Sequence, residues 1–142
     1  MAASAQTDIF MKMITDKIDS IMNKKLKPYG LTGSQLRVLH HLRITPSPVS
    51  QRELELTFEV AHPTMVGLLK RLEQKGFVRT EFDSDNKRRK NVYMTEKCDA
   101  FFQYGDDSRN DMIRILLSGF DDEQIEAFDK ALQHMYNNLK SL

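Results

Sequence analysis

SQRELELTFEVAHPTMVGLLKRLEQKGFVRTEFDSDNKRRKNVYMT, residues 50–95, is the stretch of sequence that decides the fold. Its start predicts a short helix over about residues 50–57, because Ser50 is a good N-cap and Leu54 supplies an inward-facing apolar side chain. Residues 58–61 follow as a turn. The stretch therefore begins with a helix and a tight turn.

A second helix is predicted to start near His62, where Pro63 falls in the first turn and its missing N–H does no harm. Gly76 stands where a left-handed C-cap would end this helix. Four apolar residues recur at helical spacing and predict one buried stripe: Met65, Leu68, Leu69 and Leu72. Two helices joined by a short turn make a helix-turn-helix.

Two strands follow the second helix. Residues 78–83 alternate apolar and polar side chains, which is typical of a strand, and Val92 and Met94 alternate again after turn-forming residues. The loop between them carries four consecutive cations, residues 87–90, which repel one another unless something anionic neutralises them. A cationic hairpin after a helix-turn-helix predicts a winged helix-turn-helix.

Further helices flank this segment. Periodic apolar residues predict helices over about 8–27, 96–117 and 121–141. Another helix, about 32–44, starts at a capping box formed by Thr32 and Gln35. The predicted fold class is mainly α with a small β-wing, with about six helices and a sheet of two or three strands.

We predict a single domain over residues 1–142, in which residues 32–95 form the winged helix-turn-helix lobe. Residues 8–27 and 96–141 are predicted to be dimerisation helices, because they carry more apolar residues than one small module needs. A two-fold dimer that interlocks the terminal helices buries them. The alternative is that these residues only close the core of a monomer.

The net charge of +1 conceals an asymmetry. Residues 1–98 hold 17 Lys and Arg against 11 Asp and Glu, whereas residues 99–142 hold 4 against 9. A basic half next to an acidic half suits a nucleic-acid-binding lobe joined to a scaffold that stays off the phosphates. Chance clustering is the alternative explanation of the charge alone.

Several classes of protein are disfavoured. No apolar run approaches the length that spans a bilayer, so we expect no membrane partner. The one cysteine, Cys98, excludes an internal disulfide and favours a cytoplasmic location; it is expected to be an inert packing residue, although a helix N-terminus can lower a thiol pKa. No phosphate loop, nucleophile elbow or metal-ligand spacing occurs, which predicts no enzyme, no cofactor and no metal site.

The predicted second helix of the helix-turn-helix carries the candidate base contacts. His62 and Thr64 can hydrogen-bond base edges, while Lys70 and Arg71 suit phosphates, which position a protein without conferring sequence specificity. The alternative for the cations is an ordinary solvated helix face. The whole DNA-facing set comprises His62, Pro63, Thr64, Gly67, Lys70 and Arg71, of which Gly67 offers no side chain.

Two further groups are predicted to contact double-stranded DNA. Ser50, Gln51 and Arg52 begin the preceding helix and are candidates for a phosphate at its N-terminus. Arg88 is central in the cationic loop and is the candidate for insertion into the minor groove. The flanking loop cations, expected on the DNA backbones, are Lys87, Arg89 and Lys90. The alternative is a solvated loop.

Three motifs give the chain a resemblance to the MarR (multiple antibiotic resistance regulator) family of bacterial transcription factors. Gln51-Arg-Glu-Leu54 resembles the family's helix motif, and Leu72-Glu-Gln-Lys-Gly-Phe-Val-Arg79 resembles its junction between helix and wing. Asn86-Lys-Arg88, followed by Val92-Tyr-Met-Thr-Glu-Lys97, resembles its wing. The family's wing aspartate corresponds to Asn86, so the ion pair to Arg88 must come from elsewhere, for which Asp83 and Asp85 are candidates.

The resemblance implies a sequence-specific, homodimeric transcriptional regulator that binds a short palindrome and represses nearby genes. It also implies release from DNA by a small phenolic or aromatic ligand bound in a crevice between helices 8–27, 32–44 and 96–117. The candidate crevice residues are His40, His41, Phe101 and Tyr104. Ordinary packing is the alternative for these four residues.

Overall fold

The computed structural model describes residues 6–104 and 108–142 and forms two compact units, one up to Asp107 and one from Ser108 to the C-terminus. The first unit contains five α-helices: α1 (Thr7–Leu26), α2 (Gly33–Ile44), α3 (Gln51–Phe58), α4 (His62–Gln74) and α5 (Glu96–Tyr104). A short 3-10 helix, Lys27–Tyr29, follows α1. The second unit contains α6 (Ser108–Leu117) and α7 (Asp122–Lys140).

The predicted helix over 96–117 is described as two helices. One ends at Tyr104 and the next begins at Ser108; residues 105–107 between them lie outside the described part of the chain. The described residues thus contain one more α-helix than the six predicted.

Side-chain caps fix where three helices start. Thr32 and Gln35 form the predicted capping box of α2, each side chain bonding to the backbone of the other residue. Ser50 caps α3 as predicted and forms a capping box with Glu53. Asp121 does the same for α7 with Gln124. The short polar residues that the sequence offers before each helix therefore satisfy its first N–H groups.

A three-stranded antiparallel sheet packs beside the helix-turn-helix, in the order β1 (Val49–Ser50), β3 (Lys90–Met94), β2 (Val78–Phe82). Val92 pairs with Thr80 on one side and with Val49 on the other. The strand β1 has two residues, which are too few to show the alternating pattern that predicts a strand. It completes the sheet and leads directly into α3.

Residues of all five helices and of the sheet form the core of the first unit. Met65, Leu69 and Leu72 of α4 are buried as predicted, whereas Leu68 is only half-buried and borders a surface depression. Gly76 has a φ of +82° just after α4, the left-handed conformation expected of a C-cap glycine. The largest side chains buried almost completely include Leu26, Leu39, Leu54, Met65 and Leu72.

Candidate nucleic-acid interface

Helix α4 presents a polar, exposed face opposite its buried stripe. Because Met65, Leu69 and Leu72 face the core, the 3.6-residue period places Pro63, Gly67 and Lys70 at the centre of the opposite side. The remaining predicted residues, His62, Thr64 and Arg71, are exposed along its two edges. Pro63, Gly67 and Lys70 thus form the middle of this face, with His62 on one edge and Thr64 and Arg71 on the other.

His62 begins α4 and is tied to α3 by a buried carboxylate. Its Nδ1 lies 3.1 Å from both carboxylate oxygens of Glu55. The Glu55 side chain is 4% exposed, whereas the His62 side chain is 67% exposed. The Arg52 guanidinium lies 3.8 Å from the same carboxylate. The imidazole is thus held at one edge while the rest of the ring faces solvent.

The start of α3 supplies less free polar surface than predicted. Ser50 is buried, and its Oγ accepts the Glu53 N–H at 3.1 Å. Gln51 is buried, and its Nε2 lies 3.3 Å from Nδ1 of His62. Arg52 is exposed. Of the three predicted phosphate contacts, Arg52 is the one whose side chain is placed to reach a ligand.

A concave surface of about 840 Å3, which we term the wing groove, contains residues from each of the three predicted groups. It is lined by the first residues of α3, by His62 and Val66 of α4, and by the far end of the β-hairpin. The predicted site residues in it are Ser50, Gln51, Arg52, His62, Arg88, Arg89 and Lys90. Residues separated by up to 40 positions in the sequence therefore share one groove.

Arg89 connects the wing to α3. Its Nη2 donates to Glu53 at 3.0 Å and its Nε donates to Asn91 Oδ1 at 2.9 Å. The Asp83 carboxylate lies 3.9 Å from the same Nε and accepts from Asn91 Nδ2 at 3.2 Å. The Asp85 N–H and the Asn91 amide together hold the pKa of the Asp83 carboxyl below its usual value.

This network changes the expected role of two wing residues. Asp83 pairs with Arg89, and within residues 6–104 and 108–142 no carboxylate forms an ion pair with Arg88, so the expected substitute pair from Asp83 or Asp85 to Arg88 was wrong. Asn86 supports Arg88 differently, because its Oδ1 accepts the Arg88 backbone N–H at 3.0 Å. The guanidinium of Arg89 is occupied by Glu53 and Asn91, and its predicted DNA contact stays a prediction.

The wing tip leaves two cations exposed, Lys87 and Arg88, while Lys90 is half-buried at the start of β3. The tip is closed by backbone hydrogen bonds: the Asp83 N–H donates to the Arg89 carbonyl at 2.8 Å, and the Arg89 N–H donates to the Asn86 carbonyl at 2.9 Å. Two long side chains thus project from a hydrogen-bonded turn.

A second depression, of about 550 Å3, lies on the other edge of α4. Thr64, Leu68 and Arg71 face α1 and the start of α2 across it. The residues predicted to contact DNA from α4 are therefore divided, with His62 on the wing side and Thr64 and Arg71 on the opposite side.

The residues of the predicted effector crevice contact different partners. The His40 ring packs on Phe102, with centroids 4.9 Å apart, whereas the His41 ring packs on Phe58 at 5.6 Å. Phe101 is buried, with ring contacts to Tyr29, Phe77 and Phe102. The Tyr104 side chain lies outside the described residues. Of the described side chains, His40 and His41 pack on different rings and Phe101 is buried, and the crevice stays a prediction.

Cys98 is fully buried in α5, and burial raises the pKa of its thiol to about 12. Its backbone N–H is bonded to Thr95 Oγ1 at 3.3 Å. The thiol therefore stays protonated, as suits a packing residue. Among the residues described, no cluster of three or more His, Cys, Asp or Glu side chains is suited to hold a metal ion.

Four residues of this surface were missed from the sequence: Glu53, Glu55, Val66 and Phe82. Val66 and Phe82 add exposed apolar groups to the wing groove, and Glu55 adds the carboxylate beside His62. Glu55 directly follows Leu54, and both side chains are buried where α3 meets α4. Apolar periodicity in the sequence does not indicate that an acidic side chain is buried. Only the packing of α3 against α4 reveals it.

Comparisons with known proteins agree with this geometry. The model of the MarR family matches residues 29–89, which include the helix-turn-helix and most of the wing. The uncharacterised HTH-type transcriptional regulator YwoH of Bacillus subtilis is 35% identical over 106 residues, covering 75% of this chain and 76% of that protein. This chain belongs to the MarR family. The resemblance inferred from the three motifs is confirmed.

Solved structures of MarR-family regulators share the fold. The transcriptional regulator SlyA is 28% identical, with a TM-score of 0.82 over 95% of this chain and 96% of its own. MepR from S. aureus, solved in a DNA complex, is 23% identical, with a TM-score of 0.87 over 92% of this chain and 96% of its own. The predicted fold, a winged helix-turn-helix with a small sheet, is confirmed.

Membership of the MarR family makes the chain a transcriptional regulator, and the prediction that it is not an enzyme is confirmed. No helix in the described part of the chain is both long and apolar enough to cross a membrane.

Proposed function

We propose that this MarR-family regulator is a homodimeric repressor that binds a short palindromic operator through α4 and the wing. One observation carries the proposal: the wing groove joins the start of α4 to the cationic wing, so that a helix and a hairpin face the same side of the protein. A major groove admits an α-helix, and an adjacent minor groove accepts arginine.

Each part of this surface has a distinct task in the proposal. His62 and Thr64 contact base edges, while Arg52, Lys70 and Arg71 contact phosphates. Arg88 enters the minor groove, and Lys87 and Lys90 lie along its backbones. The solved complex of MepR with DNA supports this assignment by its fold alone.

Charge supports the same orientation. Residues 1–98 carry a net charge of +6 and residues 99–142 a net charge of −5. Phosphates attract the first segment and repel the second, which steers the winged lobe toward DNA. A winged helix that binds only proteins would not need exposed cations at its tip.

The dimer rests on apolar surface that the described chain leaves uncovered. Helix α7, as described, has no buried residue. Its exposed apolar side chains recur at helical spacing: Phe128, Leu132, Tyr136 and Leu139. Helix α1 likewise exposes Ile9, Phe10, Met13 and Ile14. A second copy that covers both helices removes these surfaces from water and places two α4 helices on two half-sites.

The test is a titration of the purified protein against the intergenic DNA upstream of its own gene and against a scrambled duplex, at two salt concentrations. We expect a dimer by light-scattering mass and about a hundredfold preference for its own DNA, equal to about 3 kcal/mol. Equal, weak binding to both duplexes contradicts sequence specificity. If neither duplex is bound even at low salt, the protein does not bind DNA in this way, and a protein-interaction module is favoured.

Two finer points belong to the same proposal and have their own tests. Release by a small phenolic ligand predicts that a simple phenolic acid dissociates the DNA complex in that titration, with a non-aromatic acid as the control. Repression in the bacterial cytoplasm predicts higher expression of the downstream gene when the regulator is deleted; lower expression would identify an activator.

A further inference from the structure

We propose that Glu55 is a positioning residue for DNA recognition, because its buried carboxylate holds the proton on Nδ1 of His62. The outward Nε2 is then a hydrogen-bond acceptor when the imidazole is neutral and an N–H donor when it is protonated. This inference rests on the proposed function, since it assigns a task to a side chain at the proposed DNA surface. The base that His62 favours therefore depends on pH.

Burial of Glu55 is the first step of the argument. A carboxylate that is 4% exposed requires hydrogen-bond donors, because its desolvation is otherwise uncompensated. Nδ1 of His62 lies 3.1 Å from both of its oxygens, within hydrogen-bond distance. The Arg52 guanidinium, at 3.8 Å, is beyond that distance.

A competing contact, with Gln51, would require Nδ1 of His62 to be unprotonated. Gln51 Nε2 lies 3.3 Å from Nδ1 of His62, and an amide N–H donates only to an unprotonated ring nitrogen. Glu55 is an acceptor only, so it requires the proton to be on Nδ1. Charge and burial favour the carboxylate, because a charge-assisted bond is about twice as strong as a neutral one.

The other edge of the ring is left for DNA. Nε2 of His62 has no hydrogen bond within the described part of the chain, and the side chain stands at the exposed start of α4. As an acceptor, Nε2 suits the exocyclic amine of cytosine or adenine in the major groove. As a donor, it suits N7 or O6 of guanine.

Of the described residues that line the wing groove, His62 is the one with an imidazole. Carboxylates, guanidinium groups and ammonium groups ordinarily keep their charge between about pH 5.5 and 8.5, the interval in which histidines titrate. The charged residues that line the wing groove with His62 are Arg52, Glu53, Glu55, Arg88, Arg89 and Lys90.

The first test reports the tautomer without DNA. Long-range 1H–15N NMR of the labelled full chain distinguishes a protonated from an unprotonated ring nitrogen, and His62→Gln assigns the signal. At about pH 8.5 we expect the proton on Nδ1. A proton on Nε2 overturns the proposal, as does an unchanged tautomer population in Glu55→Gln, whose amide can accept from or donate to Nδ1.

The second test uses the operator with each base pair replaced in turn. The position of interest is the one at which His62→Gln no longer discriminates between bases. There, the wild-type protein is expected to prefer cytosine or adenine at about pH 8.5 and guanine at about pH 5.5. Each preference is expected to be roughly two- to tenfold in affinity, the value of one hydrogen bond. Added to the wild-type protein, Glu55→Gln is expected to weaken this base preference. Added to the His62→Gln variant, it is expected to leave the base preference unchanged.

The two results separate the two proposals. Absence of DNA binding defeats the proposed function, while the NMR experiment still decides where the proton is. A base preference at that position that does not change with pH overturns the role of His62 as a proton-dependent contact. An equal loss from Glu55→Gln in both backgrounds shows that Glu55 supports the fold only, and a thermal melt of each variant identifies that case.

Discussion

Arg89 donates to the Glu53 carboxylate at 3.0 Å and thereby joins the β-hairpin to the first turn of α3. The preceding residue, Arg88, forms no ion pair with a carboxylate among the described residues. Two adjacent arginines in one cationic run therefore have different surroundings: Arg89 is bonded within the protein, whereas the Arg88 side chain is exposed.

Replacing Arg88 by Ala is expected to weaken binding to most DNA sequences and to reduce the slope of log K against log salt by about 1, because one cation is removed from the DNA surface and fewer counterions are released on binding. The thermal midpoint should stay unchanged, since the side chain contributes no internal ion pair. The measurement is a salt-dependent fluorescence-anisotropy titration. An unchanged salt slope would place Arg88 away from the DNA.

Arg89→Ala is the matched control and should behave differently. Loss of the bonds to Glu53 and Asn91 is expected to speed amide hydrogen exchange at Asp83 and Arg89, whose backbone bonds close the wing. Exchange measured by mass spectrometry or NMR reports the change. Wild-type exchange rates in this variant would show that the wing is held by its backbone alone.

Gly67 lies in the middle of α4, and packing within the protein does not require a glycine at this position. A Cβ there would meet only the far end of the Arg71 side chain, at 4.0 Å. Gly67→Ala is therefore expected to stabilise the protein by about 1 kcal/mol, the difference in helix propensity. Its thermal midpoint should rise by roughly 3 °C.

The same variant is expected to bind the operator more weakly, because the proposed DNA surface is centred on Gly67 and an added methyl prevents close approach. Paired melts and titrations measure both effects. Lower stability would mean that the helix does require glycine for packing, and unchanged affinity would remove Gly67 from the interface.

Thr64→Ala is expected to lower affinity for the operator by about 1–3 kcal/mol and to have little effect on random DNA, because a base contact is specific. The measurement compares the two duplexes at one salt concentration. If both affinities fall equally, Thr64 contacts a phosphate. Its position, facing α2 across the second depression, makes this comparison informative.

Cys98 is expected to react slowly with a thiol reagent at about pH 8, because burial raises its pKa to about 12 and the thiolate is the nucleophile. In denaturant the same thiol should react at the rate of a free cysteine. Rapid modification of the native protein would show that α5 opens readily and would reinstate Cys98 as a candidate redox site.

The elements of the fold were largely predictable because local signals determine them. The caps Thr32 and Ser50, the C-cap Gly76 and the alternation in the hairpin each depend on residues within a few positions. The strand β1 was not predictable, since its two residues become a strand only by pairing with β3.

The candidate site was less predictable for the same reason. The positions of His62 and Arg88 follow from helix and hairpin periodicity, but their partners come from other elements. Glu55 reaches His62 across the turn between α3 and α4, and Glu53 reaches Arg89 over 36 positions. Sequence spacing alone contains no measure of either distance.

The short strand β1 has a consequence for how such regulators diversify. Ser50 pairs with Asn91 in the sheet and is at the same time the cap that starts α3. The contacts that join the hairpin to the start of α3 are made by Arg89 and Asn91, outside residues 84–88. We expect residues 84–88 to accept insertions, deletions or a tip exchanged from a relative without displacing α4, whereas one residue inserted at Ser50 would turn α3 out of register.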